Sequence, residues 1–152
     1  MQIEQISDIL DWIVNYHQQI AKCYEHCSDQ SESPRVKMLL DYIADHEKQL
    51  TLTIARYEEE TELKDLNTWC IEYVDKAPAL EHMLCESNLN EMDTNQIMVR
   101  TASIHNQLLD LYQHLVSRAG NARIRELFND LILLEEHEIM RMVKSSEGLS
   151  DI

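Results

Sequence analysis

Two histidines and two glutamates recur at matching places in this chain. Sliding the sequence along itself by 88 residues places His17 on His105 and Glu47 on Glu135 without a gap. Imidazole and carboxylate groups together bind iron, manganese or zinc. The same groups also pair with each other through charged hydrogen bonds. These residue types therefore predict either a metal site or a network in which each His is bonded to a Glu.

The repeat adds two tyrosines and a further glutamate to the candidate site. Tyr24 falls on Tyr112 in the same overlay. A hydroxyl beside a carboxylate orients it by donating a hydrogen bond, so both tyrosines are predicted to orient the carboxylates of the candidate ligands. Five side chains are predicted as metal ligands: His17, Glu47, His105, Glu135 and Glu138.

Four long helices are predicted to position these side chains. Apolar residues recur with a period of 3.6 over about residues 3–27, 34–62, 94–118 and 122–145, and the chain has only two Gly and two Pro for turns. We expect residues 63–93 to be a long crossover on the outside of the bundle. The prediction is a single all-α domain over residues 1–152, a four-helix bundle made of two related antiparallel hairpins.

The crossover is predicted to contain two short helical turns, at Leu66–Val74 and Ala79–Cys85, and the tail from Ser146 is predicted to fray. Ser33 and Pro34 are read as the start of helix 2, and Asp93 or Thr94 as the start of helix 3.

Helical register predicts that the candidate ligands point inward. His17 is in register with Ile13 and Ile20, and Glu138 follows the apolar Leu134 by four residues. Glu47 similarly follows Ile43 by one turn. A buried carboxylate is unfavourable by several kcal/mol unless it is paired or coordinated. Either a metal or a partner histidine is therefore expected beside each buried glutamate.

The pattern resembles the ferritin-like superfamily, and rubrerythrin-type bundles in particular. Ala44-Asp45-His46-Glu47 is similar to the Ala-x-x-Glu run of that family, and a tyrosine follows each of His17 and His105 by seven residues. The resemblance implies a duplicated hairpin and a di-iron centre. In that centre helices 1 and 3 each give one Glu, and helices 2 and 4 each give Glu-x-x-His.

The ligand set departs from that family at four positions. His17 and His105 stand where the family has Glu, and Leu50 and Glu138 stand where it has His. Shifting the overlay by three residues pairs 45–47 with 136–138, and then an arginine replaces the family histidine. Two hypotheses remain open. One is a rearranged iron, manganese or zinc site for oxygen or peroxide chemistry or metal handling. The other is a non-catalytic helical interaction module that has lost the site.

Charge and cysteines limit the partners. With 28 acidic and 13 basic residues the net charge is −15, which repels nucleic acids and anionic membranes and attracts basic proteins or metal cations. No signal sequence or membrane span is evident, so we expect a cytoplasmic protein. By analogy with ferritin-like bundles we expect a homodimer.

The cysteines lack zinc-site spacing and are expected to be reduced, buried thiols: Cys23, Cys27, Cys70 and Cys85.

Overall fold

A computed structural model describes residues 3–70 and 89–150 of the chain, with side chains up to Gly148. Four long helices account for most of them: α1 Ile6–Gln30, α2 Pro34–Glu60, α3 Thr94–Arg118 and α4 Ala122–Ser150. Helices α1 and α2 form one antiparallel hairpin, and α3 and α4 form the other. In the described residues the sheet content is one isolated bridge, between Gln5 and Trp69. The predicted all-α bundle of two hairpins is therefore confirmed.

Side-chain caps explain where α2 and α3 begin. The Ser33 hydroxyl accepts a hydrogen bond of 3.3 Å from the amide of Val36, and Pro34 is the first helical residue. Before α3, the carboxylate of Asp93 accepts from the Gln96 amide at 2.8 Å, and the Gln96 side chain accepts from the Asp93 amide at 3.0 Å. Such caps satisfy amides that have no partner within the helix.

Four helix ends differ from the predicted bounds: α1 begins at Ile6 and ends at Gln30, α2 ends at Glu60, and α4 ends at Ser150. Helix α1 begins at Ile6 because the residues before it are extended. There the Cys70 amide donates to the carbonyl of Glu4 at 2.8 Å, and the Ile6 amide donates to that of Thr68 at 3.1 Å. Helix α4 continues to Ser150, so the predicted end of this helix at residue 145 was wrong. Once a helix is nucleated, each further residue adds its hydrogen bond at little cost.

The bundle core consists of the apolar faces that the periodicity predicted. Every inward apolar position predicted on the four helices is buried, except Leu134, which is half-buried. Cys23, Cys27 and Cys70 are buried, as expected, whereas Cys85 lies outside the described residues. Within residues 3–70 and 89–150, no helix has the length and apolar character that crossing a membrane requires.

The described ends of the crossover pack against the bundle. A one-turn helix occupies Leu63–Leu66, and a 3₁₀ turn occupies Leu89–Glu91. The turn predicted at Leu66–Val74 was wrong for residues 67–70, which are not helical. Its remainder and Ala79–Cys85 lie outside the described residues. The buried Asp65 accepts two hydrogen bonds from Arg123 Nε and Nη2, at 3.0 and 3.2 Å, which joins the crossover to α4.

Candidate functional site

Four of the five predicted ligands meet at the centre of the bundle. His17 on α1 contacts two glutamates: its Nδ1 lies 2.6 Å from Glu47 Oε2 on α2, and its Nε2 lies 2.6 Å from Glu135 Oε1 on α4. His105 on α3 contacts the same two: its Nδ1 lies 2.7 Å from Glu135 Oε2, and its Nε2 lies 2.5 Å from Glu47 Oε1. All four side chains are fully buried.

These contacts close into a cycle, which we call the His–Glu ring (His17, Glu47, His105 and Glu135). Histidine and glutamate alternate around it, and the two imidazole centroids are 5.7 Å apart. Each Nδ1 contact lies within one hairpin, and each Nε2 contact crosses to the other hairpin. The ring therefore follows the 88-residue offset that relates the two halves of the sequence.

The contacts determine how many protons the ring holds. Each nitrogen–oxygen pair needs one shared proton, because two lone pairs facing each other at 2.5–2.7 Å would repel. Four contacts therefore require four protons. Two imidazoliums with two carboxylates hold four, and so do two neutral imidazoles with two carboxylic acids. In both arrangements the net charge of the ring is zero.

The pKa shifts favour the ionised arrangement. Burial by itself disfavours every charged form. Around His17, however, attraction and hydrogen bonds from Glu135 and Glu47 overcome burial and raise its pKa to about 9. Burial would raise the Glu47 pKa, but His105 and His17 lower it to about 2. At the other two side chains, the charges and hydrogen bonds of the ring partners likewise overcome burial. The His105 pKa therefore lies well above its ordinary value, and the Glu135 pKa is lowered.

The two tyrosines do not play equivalent parts. The Tyr112 hydroxyl donates to Glu135 Oε1 at 3.1 Å, as predicted for a residue that orients a carboxylate. Tyr24 lies 2.6 Å from Thr101 Oγ1 instead of bonding to Glu47. Since the Thr101 hydroxyl donates to the Ile97 carbonyl, Tyr24 is the donor of that bond. The predicted contact of Tyr24 with the site was therefore wrong, because its hydroxyl bonds to Thr101 on α3.

The fifth predicted ligand, Glu138, lies in a separate cluster. Its Oε2 is 2.7 Å from His46 Nδ1, and its Oε1 accepts from Arg141 Nη1 at 3.2 Å. The ring of Tyr42 packs 4.4 Å from that of His46, centroid to centroid. The helical pattern predicted no partners for His46, Arg141 or Thr101. The only signal for Thr101 was a hydroxyl on an otherwise apolar stripe.

The fold has a counterpart among solved structures. A protein from Thermotoga maritima, named as a ferritin-like diiron-carboxylate protein, matches with a TM-score of 0.63 and 12% sequence identity, over 97% of this chain and 98% of that one. Neither a protein-family model nor a curated protein matches the sequence. At 12% identity the likeness shows the fold, which is ferritin-like. The resemblance predicted from the sequence is therefore confirmed at the level of the fold.

The residues present do not fit a di-iron centre. Such a centre takes four carboxylates and two histidines in this fold, whereas the His–Glu ring supplies two of each. Leu50 has no donor atom, and Glu138 is held by His46 and Arg141. All eight nitrogen and oxygen atoms of the ring already contact each other.

The spacing of the ring atoms is also that of hydrogen bonds. Nitrogen and oxygen ligands at about 2.1 Å from one metal ion lie roughly 3.0 Å apart in octahedral and 3.4 Å apart in tetrahedral geometry. The ring contacts of 2.5–2.7 Å are shorter than both. In the described part of the chain, no three His, Cys, Asp or Glu side chains are arranged to hold a metal ion.

Proposed function

We propose that this chain is a ferritin-like helical module in which the His–Glu ring takes the place of a metal centre. It acts as a non-catalytic interaction module through its outer surface. The observation that carries the proposal is the closure of the ring, in which each imidazole nitrogen contacts a carboxylate oxygen of opposite charge. A buried carboxylate needs compensation from somewhere, and here the two imidazoliums provide it.

The positions of the two histidines support this proposal. By the resemblance, His17 and His105 stand where a di-iron bundle has glutamates. Each replacement removes one negative charge and adds one positive charge. Two such replacements neutralise Glu47 and Glu135 without a metal ion. The pKa shifts agree, because the pKa values of both histidines are raised and those of both glutamates are lowered.

A second candidate function is binding of one iron, manganese or zinc ion by the same four side chains. Two imidazoles and two carboxylates form a donor set suited to all three metals, and this observation favours the candidate. The named ligands would be His17, Glu47, His105 and Glu135, with Tyr112 orienting the Glu135 carboxylate. For a metal ion to bind there, the nitrogen–oxygen hydrogen bonds of the ring would have to break, and the protons shared in them would have to be released.

Metal content separates the two candidates. We would purify the protein without chelators, incubate it with iron, manganese or zinc, remove unbound ions and measure metal per chain. The Glu47→Gln, Glu135→Gln double variant is the control for ions held by the acidic surface. We expect equal, substoichiometric metal in both proteins and no metal-dependent rise in unfolding temperature. About one ion per wild-type chain, lost in the double variant, would refute the proposal and support the second candidate.

A measurement on the unaltered chain gives an independent answer. In nitrogen-correlated NMR spectra, an imidazolium shows protons on both ring nitrogens, whereas a metal-bound imidazole shows at most one. We expect both His17 and His105 to be doubly protonated at neutral pH.

We also expect the protein to be cytoplasmic, where its buried thiols stay reduced.

A further inference from the structure

Two carboxyl groups face each other at the end of the first hairpin where α1 begins and α2 ends. The side chains of Asp11 on α1 and Glu58 on α2 are hydrogen-bonded to each other. An ionised carboxylate only accepts hydrogen bonds, so this contact requires a proton on one of the two groups. We call these two residues the carboxyl pair. They lie six and eleven residues from His17 and Glu47, so they are separate from the His–Glu ring.

The last turn of α2 is poorly suited to negative charge. Its final three residues are glutamates, at positions 58–60, and this turn contains no basic residue. Carboxylates at the C-terminal end of a helix are unfavourable, because the helix dipole is negative there. A proton on the carboxyl pair removes one of these charges and joins the turn to α1.

The cations near this end of α2 face other groups. In the short helix that follows, Lys64 lies 3.2 Å from Glu62. On α4, the Arg123 guanidinium binds Asp65 at 3.0 Å. Arg56 precedes Glu58 by two residues, a spacing that does not bring side chains together on a helix. The described part of the chain therefore offers the carboxyl pair a proton as its compensation.

The pKa of Glu58 reflects these surroundings. Burial raises it first, and the hydrogen bond with Asp11 and the negative charges of Asp11 and Glu59 raise it further, from 4.5 to about 7. A carboxyl group whose pKa is raised by folding stabilises the folded turn through its proton. This contribution is complete below pH 4.5 and is lost as the pH rises through about 7.

We propose that the carboxyl pair is a pH-sensitive contact, in which a shared proton holds the last turn of α2 against α1 and loss of that proton lets the turn open. Opening breaks the two bonds by which Thr61 caps this helix. Its amide donates to the Glu58 carbonyl at 3.3 Å, and its hydroxyl donates to the Tyr57 carbonyl at 2.6 Å. The first hairpin then loosens where the chain enters the crossover. This inference holds whether or not the His–Glu ring binds metal.

The second hairpin lacks the pair. In the 88-residue overlay Asp11 falls on Val99, and Glu58 falls on Ser146. The Ser146 hydroxyl donates to the Val143 carbonyl within its own helix. Neither position can ionise, so the corresponding end of α4 should open equally often at pH 6 and pH 8.

Amide hydrogen exchange, corrected for the intrinsic effect of pH on exchange, measures how often the last turn of α2 opens. Between pH 6 and pH 8, pKa values of 4.5 and 7 for the open and closed turn give an increase in opening of at most about tenfold. Glu58 is half-buried, and water weakens such contacts, so we expect about three- to tenfold in the wild type.

Two matched variants identify the group responsible. Glu58→Gln should abolish the increase, because an amide donates to Asp11 at every pH. Glu59→Gln removes the same charge from the exposed neighbouring residue and should keep the increase. The proposal is overturned if opening of the wild-type turn is equal at pH 6 and pH 8, or if Glu58→Gln retains the increase. It is also overturned if Glu59→Gln abolishes the increase.

Carbon NMR of the Glu58 side chain follows its ionisation directly. The wild-type midpoint should lie at about 7. Asp11→Asn should lower it, because this change removes a negative charge and supplies a donor to the ionised carboxylate. A wild-type midpoint near the ordinary 4.5, or a midpoint that Asp11→Asn leaves unchanged, overturns the proposal.

Discussion

Replacing His17 by leucine should reveal the charge balance of the ring. The change leaves Glu47 and Glu135 sharing one imidazolium, that of His105, so one buried carboxylate loses its compensation. Breaking a buried ion pair from one side costs about 3–5 kcal/mol. The shift of the His17 pKa from 6.5 to about 9 gives a similar magnitude, about 3 kcal/mol, at about 1.4 kcal/mol per unit.

A double-mutant cycle isolates the pairing from the loss of packing. Glu47→Leu alone leaves two imidazoliums with one carboxylate and should also be strongly destabilising. The double variant removes one cation and one anion together, and a neutral pair of His105 and Glu135 remains. Its free energy of unfolding should therefore fall by at least 2 kcal/mol less than the sum of the single effects, within the range of about 0.5–3 kcal/mol known for coupled sites.

Urea denaturation near pH 6 measures all four proteins of the cycle. The exposed ion pair of Lys48 and Glu25 serves as the control cycle, with leucine at both positions. It should show no measurable coupling, because water screens such pairs. If the effects of His17→Leu and Glu47→Leu add to within about 0.5 kcal/mol, the two side chains do not compensate each other, and the ring is not the charge-balanced unit described above.

The remaining predictions concern pH and the tyrosines. The stabilisation from His17 is complete below its ordinary pKa of 6.5 and is lost as the pH rises through about 9. The stabilisation from Glu47 is complete above its ordinary pKa of 4.5 and is lost as the pH falls through about 2. The free energy of unfolding should therefore be greatest between pH 4.5 and pH 6.5. Denaturation at a series of pH values checks this, and a maximum above pH 8 would contradict it. Tyr112→Phe should cost about 1–2 kcal/mol and make the lowering of the Glu135 pKa smaller, because that carboxylate loses a hydrogen-bond donor. Tyr24→Phe should leave the imidazole NMR signals unchanged, since its hydroxyl bonds outside the ring, and a change equal to that of Tyr112→Phe would refute this assignment.

Helical periodicity was sufficient to predict which faces of this bundle are buried. Apolar residues at intervals of three and four identify one side of a helix, and His17 and Glu47 could be placed on that side. Periodicity gives depth and direction but not the identity of a partner across the core. It therefore predicted that a metal or a histidine would meet each glutamate, without indicating which.

The errors in the candidate site have a geometric cause. Glu135 and Glu138 are three residues apart, which separates their directions by about 60° around the helix. Both are buried, but only Glu135 points at the centre, whereas Glu138 points toward His46 on α2. Tyr24 was misassigned because its hydroxyl donates to Thr101, which lies one turn before His105 on α3. Such cross-helix distances depend on packing, which one sequence does not specify.

The two Nε2 contacts of the ring join α1 to α4 and α3 to α2. Apolar side chains tolerate sliding of one hairpin along the other, since many arrangements bury similar area. A shift by a single turn, about 5.4 Å, would break both crossing contacts, so that each of the four buried ions would keep the partner in its own hairpin and lose the partner in the other. The ring therefore selects one alignment of the two hairpins and makes every misaligned bundle unfavourable. Its main contribution is then to the uniqueness of the fold, as buried polar groups provide in some coiled coils.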